Sequence, residues 1–206
     1  MKPTEIQIDA ITEMINIGIG RGANVLNTMF NSYIRLHVPI IKILSPEELK
    51  MELEAKDRKK RLSAVNLPFE GKLSGNAELI FPSESASHLV DIFTDEDQES
   101  DDLDSIRAGA LCEIGNVVLN AVMGSLSNLL KLSFKYSVPN YLEGFIENLL
   151  LSDNDFSRSS ILLAKTNFSI EELEIKGNIV LLFKMGSFDK LLTAVDNFCN
   201  SNGNNG

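Results

Sequence analysis

The chain has 206 residues, 44% of them hydrophobic, and 19 basic against 29 acidic side chains give a formal net charge of −10. Such a length and apolar share suit one large or two small globular domains with a substantial core. The acidic balance argues against the basic surface that nucleic-acid binding depends on, and no stretch approaches 18 consecutive apolar residues, so no nucleic-acid or membrane partner is expected.

Residues 4–30 carry Ile8, Ile11, Ile15, Ile19, Val25, Leu26 and Met29 at helical spacing. Residues 33–44 alternate and are β-branched, which predicts a strand. Residues 45–55 open on Ser and Pro and continue with Glu, as a short helix does. KDRKKR (56–61) reads as a solvated loop. LSAVNLPFEG (62–71) and KLSGNAELIF (72–81) read as two strands with a turn near Glu70 and Gly71, followed by a helix over 82–93 entered through Pro82. DEDQESDDLD (95–104) is an acidic bridge whose charges favour the N-terminus of the next helix. Then come a helix over 103–130, a strand near 131–138 and a short helix over 141–151. Strands over 159–168 and 173–185 and a helix over 187–199 follow, and SNGNNG (201–206) is expected to be a frayed tail.

The second half repeats the first. Residues 11–39 align without a gap against 111–139, so that Glu13 falls on Glu113, Asn16 on Asn116 and Pro39 on Pro139. GNAELIF (75–81) is echoed by GNIVLLF (177–183). The order of elements therefore predicts one pseudo-two-fold symmetric α/β domain of the α+β type over 1–206, built of repeats 1–95 and 103–200. Its sheet is expected to be extended and mainly antiparallel, with the two long equivalent helices on one face.

Two polar rows stand out on those helices. At about 100° per residue, Asp9, Glu13, Asn16 and Gly20 fall within roughly 60° of one another, opposite the apolar stripe. Glu13 and Asn16 are i,i+3 neighbours that can address one object, and Glu113 and Asn116 repeat the relation. A solvated face has no reason to recur while its neighbours diverge. Of the glycines in GIGRG, Gly18 and Gly22 point to the apolar side, where they would permit close packing on a sheet, and Gly20 leaves space beside Asn16. A phosphate-cradling loop is excluded: no strand precedes these glycines, and their spacing is not GxGxxG. Cys112, Cys199, His37 and His88 are isolated, so neither a metal site, a disulfide framework nor a Ser-His-Asp triad is expected. MKPTEIQIDA lacks the apolar run of a signal peptide, and a cytoplasmic location is expected.

Asp9, three residues, Glu13, two residues, Asn16, twenty-two residues and Pro39 resemble the signature of the CheC/CheX/FliY phosphatases of bacterial and archaeal chemotaxis. The second copy matches at Glu113, Asn116 and Pro139 but has Gly109 where the signature has Asp or Ser. Length, duplication and element order are nearest the CheC branch. The resemblance implies hydrolysis of the aspartyl phosphate of a CheY-like response regulator in two-component signalling. It assigns Glu13 and Glu113 to pairing with the regulator's lysine, and Asn16 and Asn116 to holding the attacking water. Asp9 and Gly20 would belong to the partner contact. No cofactor of its own is implied, since Mg²⁺ would come with the regulator. CheD is a possible further partner in this family, and a non-catalytic adaptor, either CheD-binding or a FliM-like scaffold, is the competing reading. Against the scaffold, both Glu/Asn pairs are present.

Overall fold

The Thr4 side chain accepts the Gln7 backbone N–H at 3.3 Å, and the Gln7 side chain accepts that of Thr4 at 2.8 Å. This reciprocal box satisfies two of the donors that a helix start leaves unpaired and opens α1, Glu5–Phe30. Its far end closes on Asn31 in the left-handed conformation (φ 47°), and Lys131 (φ 52°) closes α4, Leu103–Leu130, at the matching place. A computed structural model describes residues 3–31, 33–54, 61–93, 103–145, 149, 160–170 and 173–203. Most of the acidic bridge, most of KDRKKR and the last three residues lie outside these.

Around the two long helices the described elements are β1 (Ile34–Leu44), α2 (Pro46–Glu54), β2 (Leu62–Gly71), β3 (Gly75–Pro82) and α3 (Ser83–Phe93). After α4 come β4 (Phe134–Tyr136), β5 (Asn140–Gly144), β6 (Ser160–Ile170), β7 (Leu173–Phe183) and α5 (Ser187–Gly203). Every strand pairing is antiparallel. The seven strands run β1-β6-β7-β3-β2-β4, with β5 also on β2. Hairpins β2–β3 and β6–β7 meet at the centre through β3 and β7. The strand that follows each long helix pairs with the other half's hairpin: β1 with β6, and β4 and β5 with β2. The result is a single α+β domain with antiparallel sheet.

One face of the sheet carries the main core. Ile11, Ile15, Ile19 and Leu26 of α1 and Ile114, Val118, Val122 and Leu126 of α4 pack there with Leu79, Phe81 and Phe183. Residues of α3 (Leu89, Val90) and α5 (Leu191, Val195) extend the same layer. By length and composition α4 could cross a membrane, but half of that stretch is buried here against sheet and α1. On the opposite face, Leu49 of α2 joins Ala64, Ile80, Leu163 and Val180. Lys42 and Lys165 reach from β1 and β6 to Glu52 of α2, and their hydrogen bonds, that of Lys165 foremost, hold its carboxyl down at about 2.

Several expectations change. Met14 and Ala23 belong to the buried stripe of α1, whereas Val25 and Met29 are exposed at 46% and 43%. Gly18 and Gly22 do not face the sheet. A Cβ on Gly18 would stand 2.6 Å from Cα of Val122, and one on Gly22 would stand 3.5 Å from Cα of Val118. Both glycines therefore admit α4, and the pairing of 18 with 122 and 22 with 118 makes the helices antiparallel. The glycine that meets the sheet is Gly115, whose Cβ would strike Val65 at 2.6 Å. The hairpin turn falls at 72–74, slightly beyond Glu70 and Gly71.

The expected helix over 141–151 is corrected at its start, where 140–144 form β5 on β2. The strand near 131–138 narrows to β4, and Pro139, which has no N–H for the ladder, stands between β4 and β5. In β1 the register shifts between His37 and Ile40, across Pro39. α5 runs on to Gly203, into the segment expected to fray.

Glu78 is 3% exposed on the α2 face, and its Oε2 has no hydrogen-bond partner, nor does Oδ1 of its cross-strand neighbour Asn66. Burial pushes the Glu78 carboxyl up from 4.5 to about 8. Between those values the unfolded chain has lost this proton and the folded chain has kept it, so stability falls as pH rises through the window. The slope is at most about 1.4 kcal/mol per pH unit. Glu78→Gln should gain stability over the parent as urea melts are moved from pH 5 to pH 8; an advantage independent of pH would contradict this. Gly18→Ala should destabilise by about 1–3 kcal/mol despite the better helix propensity of Ala. Gly22→Ala, whose Cβ meets its nearest neighbour at 3.4 Å, should cost less in the same thermal melts.

Candidate functional site

Packing against the sheet and against α4 fixes which way α1 turns its other side. With Ile11, Met14, Ile15, Gly18 and Ile19 buried, Asp9, Glu13 and Gly20 are exposed and Asn16 is half-buried. On α4, Gly109 and Glu113 are exposed, and Asn116 and Asn120 half-buried. From 9 to 19 and from 109 to 119 the succession of buried, half-buried and exposed positions is identical. Two Glu/Asn pairs therefore stand on outward faces with the same inclination to the core. Each pair has about one helical turn between its members, close enough for both to reach one object.

The antiparallel crossing of α1 and α4 lies between residues 18–22 and 118–122. Asn16 and Asn116 each come about one turn, some 5–6 Å of rise, before that crossing. The two pairs thus lie on opposite sides of it, along helices that run in opposite senses. They are two separate candidate sites.

The environments differ in detail. A Cβ on Gly20 would find nothing within 4 Å, so the space beside Asn16 is open. At the equivalent place Asn120 donates from Nδ2 to Oδ1 of Asn116 at 2.6 Å. Position 109 has room too, since a Cβ there would meet nothing within 4 Å. The Cys112 thiol, beside Glu113 in sequence, is pushed up by burial and by the Glu113 charge, which leaves it protonated and a poor nucleophile. Cys112 and Cys199 are both free thiols. Arg61, the described end of KDRKKR, meets Glu143 at 3.3 Å, far along the chain from either pair.

No protein-family model matches the chain. Among curated proteins, the CheY-P phosphatase CheC of Bacillus subtilis (strain 168) is 29% identical over 199 residues, spanning 93% of this chain and 94% of the relative. Over nearly its whole length the chain is thus similar to a CheC protein. Solved structures agree in fold. FliY of Thermotoga maritima superposes with a TM-score of 0.75 at 20% identity over 96% of this chain and 100% of its own. The FliM middle domain of H. pylori gives 0.67 at 11% over 93% and 99%. A chain of the CheX–CheY–BeF3–Mg²⁺ complex of Borrelia burgdorferi gives 0.52 at 17% over 83% and 98%. At such identities these likenesses show the fold alone.

Gly20 offers a direct measurement. An interior helix glycine that supports no close contact costs about 1 kcal/mol relative to Ala. Gly20→Ala should therefore raise the thermal midpoint, in contrast to Gly18→Ala. A fall would mean that Gly20 serves packing instead of keeping space beside Asn16.

Proposed function

We propose that this protein hydrolyses the aspartyl phosphate of a CheY-like response regulator in chemotaxis signalling, acting in the cytoplasm. The observation that carries this reading is the Glu/Asn pair at i,i+3 on the outward face of α1, repeated on α4 with the same exposure pattern. The named activity of the Bacillus subtilis relative supports it, and so does the regulator bound in the CheX–CheY complex of the same fold.

The chemistry asks for positioning more than for a strong base. Transfer of a phosphoryl group passes through a loose transition state, so an aligned water suffices. An amide can accept from that water through its oxygen and does not titrate. Asn16 or Asn116 would hold the water in line with phosphorus; its oxygen bonds to phosphorus as the bond to the aspartyl oxygen breaks. Inorganic phosphate and a free carboxylate on the regulator result, with the water's protons passing to phosphate and solvent. Glu13 or Glu113 would pair with the regulator's lysine and set the register, while Asp9 and Gly20 line the approach. Mg²⁺ is assigned to the regulator, where it would offset phosphate charge.

A scaffold or CheD-binding adaptor is the second reading, since the fold is also that of the FliM middle domain of H. pylori. Phosphate release from a phosphorylated regulator with Mg²⁺ separates the two. Asn16→Ala/Asn116→Ala should lose about tenfold or more of the protein's acceleration, the scale expected when a positioned water is lost. A double variant as fast as the parent would sink the catalytic reading, and tight regulator or CheD binding without acceleration would favour the adaptor.

A further inference from the structure

Position 120 is the point at which the two copies diverge beside the reactive amide. Asn120 and Asn116 are i,i+4 on α4, and the Asn120 Nδ2 donates to Asn116 Oδ1 at 2.6 Å. That oxygen is the acceptor a bound water would need. On α1 the equivalent of Asn120 is Gly20, and among the described residues no side chain bonds the amide of Asn16. The half-burial of Asn116 and Asn120 shields this bond from competing solvent.

We propose that Asn120 is a positioning residue that latches Asn116, so that the second site turns over more slowly than the first. This rests on the phosphatase reading above. To orient water, Asn116 must give up the bond from Asn120 or share its oxygen between two donors, and either weakens its hold on the water. The first site carries no such restraint. The two equivalent helices thus give one open site and one held site, set apart one turn from the reactive amide by Asn120 in the place of Gly20.

Single-site backgrounds of the full chain test this. With Asn16→Ala silencing the first site, adding Asn120→Ala should raise kcat on the phosphorylated regulator roughly 2- to 10-fold, the range the net strength of one side-chain hydrogen bond allows. KM should move much less, because the latch acts on the amide and not on docking. In the converse background, Asn116→Ala, adding Gly20→Asn should lower kcat at the first site by a similar factor. Gly20→Ala should lower it less, and this arm separates the latch from bulk. A lowered KM with kcat unchanged would make Asn120 an obstacle to docking only, and a fall in kcat would make it an aid to catalysis; either overturns the latch. The Asn16→Ala/Asn116→Ala variant keeps the two failures apart. If it retains full activity, the phosphatase reading itself fails. If it is inactive while Asn120→Ala changes nothing, only the latch does.

Discussion

The close crossing of α1 and α4 governs everything else in this molecule. Helix axes normally pack 8–10 Å apart, and the spacing is set by the side chains at the contact. Here the contact sets Gly18 against Val122 and Gly22 against Val118. Each glycine in one copy faces a valine in the other, so a small residue makes room for a branched one twice over. Two valines facing two valines would hold the helices apart, and two glycines facing two glycines would leave a void. Once the crossing is fixed, the rotation of each helix about its axis is fixed with it. The Glu/Asn pairs then have one direction left to face.

The sheet secures the same arrangement from below. Each half lends the strand after its long helix to the other half's hairpin, and β3 and β7 join the hairpins in the middle. Neither half closes its own sheet, so helix placement in one half depends on strand pairing in the other. The last turns of the helices are tied to the chain that follows. Asn27 Oδ1 accepts the backbone N–H of Ile34 at 2.6 Å, and at the equivalent place Ser127 donates to the Leu132 carbonyl at 2.6 Å. Both bonds hold the angle at which chain leaves helix for sheet. They steady the outward faces through backbone geometry and need no contact with the Glu or Asn side chains.

Much of this was legible along the chain. Apolar periodicity located α1 and α4, alternation located β1, β2 and β3, and the offset of 100 residues between Glu13 and Glu113 exposed the duplication. Those signals are local, because they arise from 3.6- and 2-residue repeats of side-chain direction. The misread elements needed partners to interpret. Residues 140–144 carry Tyr141, Leu142 and Glu143, a spacing that serves a helix or a strand, and pairing with β2 decides for the strand. Val25 and Met29 share the apolar stripe by period but lie beyond what the sheet and α4 cover. Glu78 sits in the run GNAELIF with nothing to mark it as buried on the α2 face.

The sequence by itself determined which residues stand together on each helix face, because i,i+3 and i,i+4 neighbours are neighbours in any α-helix. It therefore placed Glu13 beside Asn16 and Glu113 beside Asn116, and with them the resemblance to a phosphatase signature. Only the tertiary structure decided what Gly18 and Gly22 are for, since the object they admit is a helix about 100 residues away. It also decided that Asn120 bonds Asn116 instead of pointing to solvent. Helical spacing brings the two amides within reach, but rotamer and burial choose whether they meet, and those are set by what packs against α4.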